Sequence, residues 1–268
     1  MIATELRQKF PLRMLLQILK LSRSTFYYHL KKIKELFEAN KGRYGYRRIT
    51  ALLRQKSIPL NHKTVLKLMK SLQIRGKMRK NEKYHSYKGE VGQIADNLLS
   101  RDFTASKPFE KLTTDVTQFK VGNEKVYLSP VMDLYNREII SYSVSLHPDL
   151  EQIRQMLKGL TNKLPNGATP IFHSDQGWQY QHAEYQRYLK EHNITQSMSR
   201  KGNCMDNGAM ENFFRRLKVE MFYGEKFETV DEFVHRLREY ISYWNNERIS
   251  LKLKGMSPVQ YRTHYQTI

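Results

Sequence analysis

Acidic residues are scarce in this chain, and other absences narrow its class further. The 268 residues include 26 Asp and Glu against 46 Lys and Arg, which gives a formal net charge of +20. The single cysteine, Cys204, excludes an internal disulfide framework and a cysteine-rich zinc site. No apolar run approaches the roughly 18 residues of a membrane-spanning helix, and no signal peptide is visible. These absences predict a protein of the reducing cytoplasm that does not enter a membrane.

The excess positive charge is concentrated at the front of the chain. Residues 1–108 have a net charge of +18, whereas residues 109–221 and 222–268 carry +1 each. Such an asymmetry indicates that the front part binds an anionic polymer or surface. A membrane surface is the competing interpretation, because the N-terminal segment resembles a basic amphipathic helix, although Pro11 interrupts it. The motifs that follow favour a nucleic acid.

Two segments of the basic part have the helix-turn-helix pattern. Residues 12–31 read as an apolar helix, a turn "LSRS" with Ser22 or Ser24 as N-cap, and a second, basic-aromatic helix. Residues 43–75 repeat the pattern, with Asn61 as the cap of the second helix. Other helical hairpins have the same appearance, so the pattern favours DNA contact without requiring it.

Basic side chains in the second segment are candidates for phosphate contact. Lys63, Lys67 and Lys70 recur at helical spacing and form one cationic stripe. A solvated helix face is the alternative, but lysines on such faces normally have acidic partners nearby, and few acids occur here. Arg47 and Arg48, in the preceding helix, are assigned the same DNA-binding role.

The order of predicted elements divides the chain. After a basic linker that we expect to be extended, hairpin strands are followed by alternating helices and strands, in the order βββαβαβα. Crossovers of this kind require parallel pairing, so the segment is a mixed α/β core. The predicted division is 1–37 and 38–75 for the two helix-turn-helix segments, 76–108 for the linker, 109–221 for the core and 222–268 for a helical C-terminal region.

Three acidic residues of the core occupy positions where acids are unusual. Asp115 interrupts a predicted strand, Asp175 ends the apolar strand "PIFHSD", and Glu211 lies at the edge of an apolar helix face. Converging carboxylates repel each other unless divalent cations lie among them, and oxygen ligands suit Mg²⁺ or Mn²⁺. Two such ions about 3.5–4 Å apart can activate a water or a 3′-hydroxyl in phosphoryl transfer. The three acids therefore predict a site for two Mg²⁺ or Mn²⁺ ions.

Each of these acids also has an ordinary structural interpretation. Asp115 fits a strand edge, Asp175 in "SDQG" fits a turn, and Glu211 fits a solvated helix face. A further strand acid, Asp133, is interpreted as a residue before a turn and is left outside the site. His173 is expected to be buried and hydrogen-bonded rather than a metal ligand.

Basic residues around the third acid complete the candidates for DNA contact. Arg215 and Lys218 follow it on the same helical stripe, which places Lys218 where it can touch a substrate phosphate. Arg200 and Lys201 lie in the loop before the helix, where an ordinary polar loop is the alternative. Asp206 is expected to be the N-cap of this helix.

Several stretches together resemble the DDE transposases of bacterial insertion sequences. They read "TTDVTQF", "HSDQGWQY", "SRKGNCMDNGAMENFFRRLKVE" and "YISYWNNERISLKLKGMSPVQYR", and 35 residues lie between Asp175 and Glu211. The most similar group is the insertion-sequence-three family, whose catalytic subunit is similar to retroviral integrases. "YGYRRI" and "NHKTVLKLMK" resemble the helix-turn-helix segment before the family's core. The resemblance extends from about residue 10 to residue 262.

The resemblance implies an RNase H-like core, with a mixed five-stranded sheet and flanking helices. It implies that Asp115, Asp175 and Glu211 are a metal-binding catalytic triad, and that Lys218 is the family's basic residue two turns after the glutamate. The residues that match the family's pattern around the triad are His173, Ser174, Gly177, Gly202, Asp206 and Asn207. The implied reaction is cleavage of one strand at an element end, followed by attack of the freed 3′-hydroxyl on another phosphodiester.

Partners and rival functions follow from the same comparison. The expected partners are DNA, at least one further copy of the chain on that DNA, and an upstream-frame DNA-binding protein that is often fused to the catalytic subunit in this family. The expected location is the bacterial cytoplasm, at the nucleoid. A DNA-binding regulator with an inactive integrase fold is one rival, and the presence of all three acids argues against it. A ribonuclease is another, and the helix-turn-helix segments favour duplex DNA instead.

Overall fold

The computed structural model describes residues 22–78, 94–200 and 207–266. The chain divides into two compact units. One contains the described residues up to 78 together with Ile249–Gly255, and the other contains the remainder. None of the helices within the described ranges is both long and apolar enough to cross a membrane.

The first unit is helical, as the sequence predicts. Its elements are α1 (Arg23–Ala39), α2 (Tyr46–Gln55), α3 (His62–Ser71) and a 3₁₀ turn (Leu251–Leu253). Ser22, one of the two predicted caps, accepts the Thr25 N–H at 3.0 Å, and Asn61 accepts the Lys63 N–H at 2.8 Å. The helix pair α2–α3 is confirmed. The apolar helix predicted before Ser22, including Pro11, lies outside the described residues.

The second unit is built on a mixed sheet. Its strands are β1 (Lys111–Thr114), β2 (Thr117–Val121), β3 (Glu124–Asp133), β4 (Ile139–Ser145), β5 (Ile171–Ser174) and β6 (Thr195–Met198). β4 pairs with one side of β3, and both β1 and β2 pair with the other side, all antiparallel. β5 is parallel to β1, and β6 is parallel to β5. Because β1 and β2 occupy the same place beside β3, the sheet is five strands wide, which confirms the implied core.

The interruption between β1 and β2 falls at Asp115. Leu112 faces Asp133 and Thr117 faces Leu128, so the register passes through the gap without a shift. In this register Asp115 lies opposite Pro130, which has no N–H to donate to a ladder. The sequence-based prediction that Asp115 interrupts a strand is confirmed.

Helices cover both faces of the sheet. They are α4 (Leu150–Thr161), α5 (Trp178–Gln181), α6 (Ala183–Glu191), α7 (Gly208–Leu217), a π-helix (Lys218–Phe222), α8 (Val230–Asn246) and α9 (Pro258–Gln266). Each face of the sheet has its own hydrophobic core. Neighbouring residues of β4 belong to different cores, because side chains alternate between the two faces along a strand. Ile139 packs with α7 and α8, whereas Ile140 packs with α4 and α6.

The end of the predicted linker packs against the sheet. The Leu98 N–H donates to Ser197 Oγ on β6 at 3.0 Å, and Leu99 is buried. Asp102 forms an ion pair with Lys111 at 2.8 Å. Residues 94–102 therefore belong to the sheet-containing unit, while residues 79–93 of the linker lie outside the described part.

Candidate active site

Asp115 and Asp175 leave the sheet side by side. Thr113 of β1 is paired with His173 of β5 in a parallel register, and each acid follows two residues later. The carboxyl ends of neighbouring parallel strands lie at the same edge of the sheet, and α/β folds place functional groups at that edge. The strand order therefore brings together two acids that are 60 positions apart in the sequence.

Both aspartates are half-buried, and each accepts one hydrogen bond from a backbone N–H group. Asp115 Oδ1 accepts the Val116 N–H at 2.7 Å, and Asp175 Oδ1 accepts the Gly177 N–H at 2.9 Å. Burial raises the pKa of each carboxyl. The second oxygen of each has no hydrogen-bond donor among the described residues, so it is available to a ligand.

Glu211 reaches the same region from the first turn of α7. Met210, Phe213 and Leu217 of this helix are buried, and Glu211 beside them is half-buried. Burial raises the pKa of Glu211, and the charge of Arg215 opposes that shift. The apolar face of α7 therefore holds a carboxylate at its border, as the spacing predicts.

The three acids share one electrostatic environment. The pKa of Asp115 lies well above its usual value, first because the group is buried, then because of the charge of Asp175, with a further contribution from Glu211. Lys218 acts in the opposite direction. Like charges this close disfavour full ionisation unless a cation offsets them.

The acids do not form a closed ion cage. Within residues 22–78, 94–200 and 207–266, no group of three or more His, Cys, Asp or Glu side chains is arranged to hold a metal ion. The chemistry of the donor set nevertheless fits Mg²⁺ or Mn²⁺, since it offers hard carboxylate oxygens with a surplus of negative charge. The fit therefore rests on ligand type and charge rather than on closed coordination geometry.

The predicted basic residues near the acids have different positions. Lys218 lies with Nζ 5.4 Å from the ring centroid of Phe119, and its charge lowers the pKa of Asp115. Arg215 is exposed and donates from Nη2 to Asn212 at 3.0 Å. Arg200 is exposed as well, and Lys201 lies outside the described residues. Lys218 and Arg215 are both linked electrostatically to the acids, Lys218 to Asp115 and Arg215 to Glu211.

Two residues beneath the aspartates complete the site. His173 is fully buried and its Nδ1 lies 2.9 Å from Ser197 Oγ, which confirms the predicted buried, hydrogen-bonded histidine. Tyr180 is also fully buried, and its pKa is raised by burial and by the charges of Asp175 and Asp115. Tyr180 could not be recognised from the sequence, because a tyrosine on a short helix has no distinguishing spacing.

Asp133 is a buried acid whose hydrogen bonds hold the local backbone. It is the last residue of β3, and its two oxygens accept the N–H groups of Phe109 and Tyr135, both at 2.9 Å. Burial raises its pKa from 3.8 to about 6, although both hydrogen bonds act to lower it. This position agrees with its interpretation as a residue before a turn.

The raised pKa of Asp133 predicts a pH effect on stability. Because the folded state holds this proton more tightly than the unfolded state, the stabilising contribution is complete below pH 3.8 and is lost as the pH rises towards about 6. The free energy of unfolding of wild type should therefore fall across this pH range relative to that of Asp133→Asn. Urea titrations of both proteins at successive pH values measure this difference. A constant difference between the two proteins from pH 4 to 7 would contradict the assignment.

The helical unit presents basic side chains with few acids. Lys63, Lys67 and Lys70 of α3 are exposed, as predicted for a cationic stripe. Arg47 is exposed with its guanidinium 5.6 Å from the Tyr46 ring, and Arg48 lies 5.2 Å from the Tyr44 ring. No Asp or Glu occurs from residue 39 to residue 78. This composition fits contact with a phosphate backbone better than a salt-bridged surface.

Comparison with known families matches both units. A model described as "Integrase core domain" matches residues 105–204, and a second model with the same description matches residues 211–265. A model described as "HTH-like domain" matches residues 29–82. These matches define an integrase-type catalytic core combined with a helix-turn-helix-like domain.

Similar proteins narrow the class. The chain is 49% identical to the putative transposase InsK for insertion sequence element IS150 of Escherichia coli, over 97% of this chain and 96% of that protein. It is 34% identical to the transposase InsF for insertion sequence IS3A of the same species, over 84% of this chain and 78% of that protein. The catalytic core domain of HTLV-2 integrase, solved in complex with magnesium, is 17% identical and covers 59% of this chain and 97% of that domain, with a TM-score of 0.42. The chain therefore belongs to the insertion-sequence-three family of transposases. Catalytic cores of this class are polynucleotidyl transferases and generally depend on divalent metal ions.

Proposed function

We propose that this protein cleaves and joins DNA strands at the ends of a bacterial insertion sequence, with Asp115, Asp175 and Glu211 as ligands of two Mg²⁺ or Mn²⁺ ions. The observation that carries the proposal is the parallel pairing of Thr113 with His173, which places Asp115 and Asp175 side by side at the carboxyl ends of adjacent strands. We assign Glu211 to the same site because its charge also acts on Asp115, and the two integrase-core matches together include all three acids. Their surplus negative charge supports a site for divalent cations.

The reaction needs little covalent chemistry from the protein. In cleavage, a water oxygen bonds to the phosphorus at the element end and loses a proton, while the bond from phosphorus to the 3′-oxygen breaks and that oxygen takes up a proton to leave as a 3′-hydroxyl. In joining, the freed 3′-hydroxyl bonds to a phosphorus of another strand, loses its proton, and displaces a 3′-oxygen there. No side chain becomes attached to DNA in either step. The bound ions would lower the pKa of the attacking hydroxyl and stabilise the leaving oxygen.

The side chains hold and orient the reactants. Asp115 and Asp175 project from adjacent strands of a rigid sheet, which fixes their relative position. Glu211 approaches from α7, and Lys218 at the end of that helix supplies a positive charge on the side of Asp115. We assign Lys218 to a substrate phosphate, because a phosphate beside Asp115 would need that charge.

Strand cleavage tests this proposal against the alternative of an inactive DNA-binding regulator. The substrate is duplex DNA that contains the element's end, with Mg²⁺ as the added ion. Cleavage and joining by wild type, with loss of both in Asp175→Asn, is the expected outcome. Equal product from the two proteins would remove the assignment of the site, and preferential cutting of an RNA–DNA hybrid would favour a ribonuclease.

We assign DNA docking to the basic helical unit, and exposed lysines on α3 give a direct test. Replacing Lys63 and Lys67 by Gln should reduce the slope of log affinity against log salt by about two, since each lost phosphate contact removes roughly one. The measurement is fluorescence anisotropy of labelled end DNA at several salt concentrations. Lys158 and Lys190, exposed on α4 and α6, are matched controls. Equal slopes for the two double variants would contradict this role for α3.

Partners beyond DNA are also part of the proposal. Transposition joins two ends, so at least two copies of the chain should assemble on DNA. An upstream-frame DNA-binding protein, separate or fused, is a further candidate partner. The probable transposase for IS1353 of Shigella flexneri is 35% identical over 96% of this chain, yet the match covers only 53% of that protein. Such extra length in a relative supports a fusion, and nucleoid association would follow from DNA binding.

A further inference from the structure

Asn207 joins the helix of the third acid to the strand of the first. It precedes α7 directly, and the residue is only 4% exposed. Its Oδ1 accepts the Thr113 hydroxyl at 2.6 Å, and its Nδ2 donates to the Thr114 carbonyl oxygen at 3.0 Å. Both partners belong to β1, immediately before Asp115. The amide therefore spans the two elements with both of its polar atoms.

This use of the side chain is unusual for the position. Asn is among the preferred N-cap residues, where its oxygen accepts an N–H of the first helical turn. Asn207 holds the cap position of α7 but makes no capping hydrogen bond. The first turn of the helix therefore lacks the usual cap bond, and the amide bonds to the strand instead. The side chain thus serves the placement of the helix rather than its initiation.

The geometry gives this placement a consequence for the acids. Glu211 lies four residues after Asn207, about one helical turn, and Asp115 lies one residue after Thr114. A shift of the helix start relative to β1 would therefore change the separation between the two carboxylates. The apolar residues of α7 hold the helix on the sheet.

We infer that Asn207 is a positioning residue that sets Glu211 against Asp115 for binding of divalent cations. This inference rests on the proposed function, because it concerns the same metal site. Asn207 does not touch the ions or the substrate in this role. It acts through the hydrogen bonds to Thr113 and Thr114, which define where α7 begins.

A second asparagine in the same unit provides a control, because its substitution should affect stability without affecting the position of Glu211. Asn245 of α8 bridges to β4 in the same manner, with Oδ1 accepting the Ile139 N–H and Nδ2 donating to the Ile139 carbonyl oxygen, both at 2.9 Å. This bridge is on a strand that carries none of the three acids. The variants Asn207→Ala and Asn245→Ala therefore each remove two side-chain hydrogen bonds between a helix and a strand, the first at the site and the second away from it.

Binding of Mn²⁺ alone to the full chain is the primary measurement, with free Mn²⁺ followed by electron paramagnetic resonance. Asn207→Ala should weaken Mn²⁺ binding by about tenfold, in the range found for outer residues that orient metal ligands. The Mg²⁺ concentration for half-maximal cleavage should rise in parallel. Asn245→Ala should keep both values of wild type, although its melting temperature falls. If Asn207→Ala does not fold, Thr113→Val removes one of the two bonds with little change in volume and should give an intermediate loss.

The outcomes distinguish this inference from the proposed function. Wild-type Mn²⁺ affinity in Asn207→Ala, or in Thr113→Val if the former does not fold, would overturn the positioning role. Equal weakening in Asn245→Ala would also overturn it, because the effect would then follow from stability. If Asp115→Asn and Glu211→Gln also bind Mn²⁺ as wild type does, the metal site itself is misplaced. If those two lose binding while Asn207→Ala retains it, only the inference about Asn207 fails.

Discussion

Asp175→Asn should lower the rate of strand cleavage by roughly a thousandfold or more, because removing one charged ligand weakens stabilisation of the transition state by several kcal/mol. Asp115→Asn and Glu211→Gln should have effects of the same order. The three variants should still bind end DNA, since the proposed docking residues lie in the helical unit. Single-turnover cleavage with Mg²⁺ and anisotropy with the same DNA measure the two properties separately.

The same substitution should stabilise the metal-free protein. Burial raises the pKa of Asp175 in the folded state, so its ionised form opposes folding at neutral pH. An uncharged amide of the same size removes that penalty, and the melting temperature in EDTA should rise. Asp149→Asn is a matched control, because Asp149 is exposed and caps α4 through the Gln152 N–H at 2.9 Å, a role that Asn fills equally well. A lower melting temperature for Asp175→Asn would mean that Asp175 is a structural acid, and unchanged cleavage would remove it from the site.

Much of the fold could be predicted because periodicity reports burial. The face of α7 is an example, since Met210, Phe213, Phe214 and Leu217 are all buried at the predicted spacing. The alternation in β2 is equally clear, with Phe119 buried between two exposed neighbours. Local pattern alone does not reveal which strands become neighbours. The mixed sheet followed from the order of elements and the need for crossovers.

The acids could be recognised because each breaks a local rule. Asp115 falls in a strand that otherwise reads as half-buried, and the structure interrupts the strand there. Glu211 lies at the border of an apolar helix face, where an uncharged residue would support the packing equally well. What the sequence could not provide is the distance between carboxylates, because that depends on the packing of α7 against the sheet. The electrostatic link is present, but the described residues show no closed cage.

Features that depend on contacts distant in sequence were missed. In a regular helix continuing from α7, Val219 would point away from the face of Met210, about 180° around the axis. The structure buries Val219, Glu220 and Met221 together, because the chain widens into a π-helix at this point. A glutamate two residues after a lysine in a helical pattern is typical of a solvent-exposed surface. Its buried partner, Arg248, is 28 residues further along the chain.

Removing one partner of the Glu220–Arg248 ion pair should destabilise the sheet-containing unit more than removing one partner of any other ion pair among its described residues. Arg248 donates from Nε and Nη2 to the two Glu220 oxygens, at 2.8 and 2.6 Å, and Tyr240 donates its hydroxyl at 3.0 Å. The Arg248 side chain is 5% exposed and the Glu220 side chain is 1% exposed. Arg248→Met leaves the Glu220 carboxylate buried without its cation, and should therefore lower the free energy of unfolding by about 3–5 kcal/mol. Urea unfolding followed by Trp244 fluorescence, in a Trp178→Phe background, measures this unit, since the Arg248 guanidinium lies 4.5 Å from the Trp244 ring.

A second ion pair in the same unit provides the comparison. Arg262 donates to Glu138 at 2.8 Å. The Glu138 side chain that remains after Arg262→Met is 12% exposed and keeps the Asn136 Nδ2 donor at 2.9 Å, so its charge is still partly solvated and hydrogen-bonded. That variant should lose only about 1 kcal/mol. Adding Glu220→Leu to Arg248→Met should recover most of the loss, because the penalty comes from the unpaired charge rather than from the absent pair. If the double variant is as unstable as Arg248→Met, the π-helix depends on the ion pair for its shape, and apolar packing of Val219 and Met221 is not sufficient to hold it.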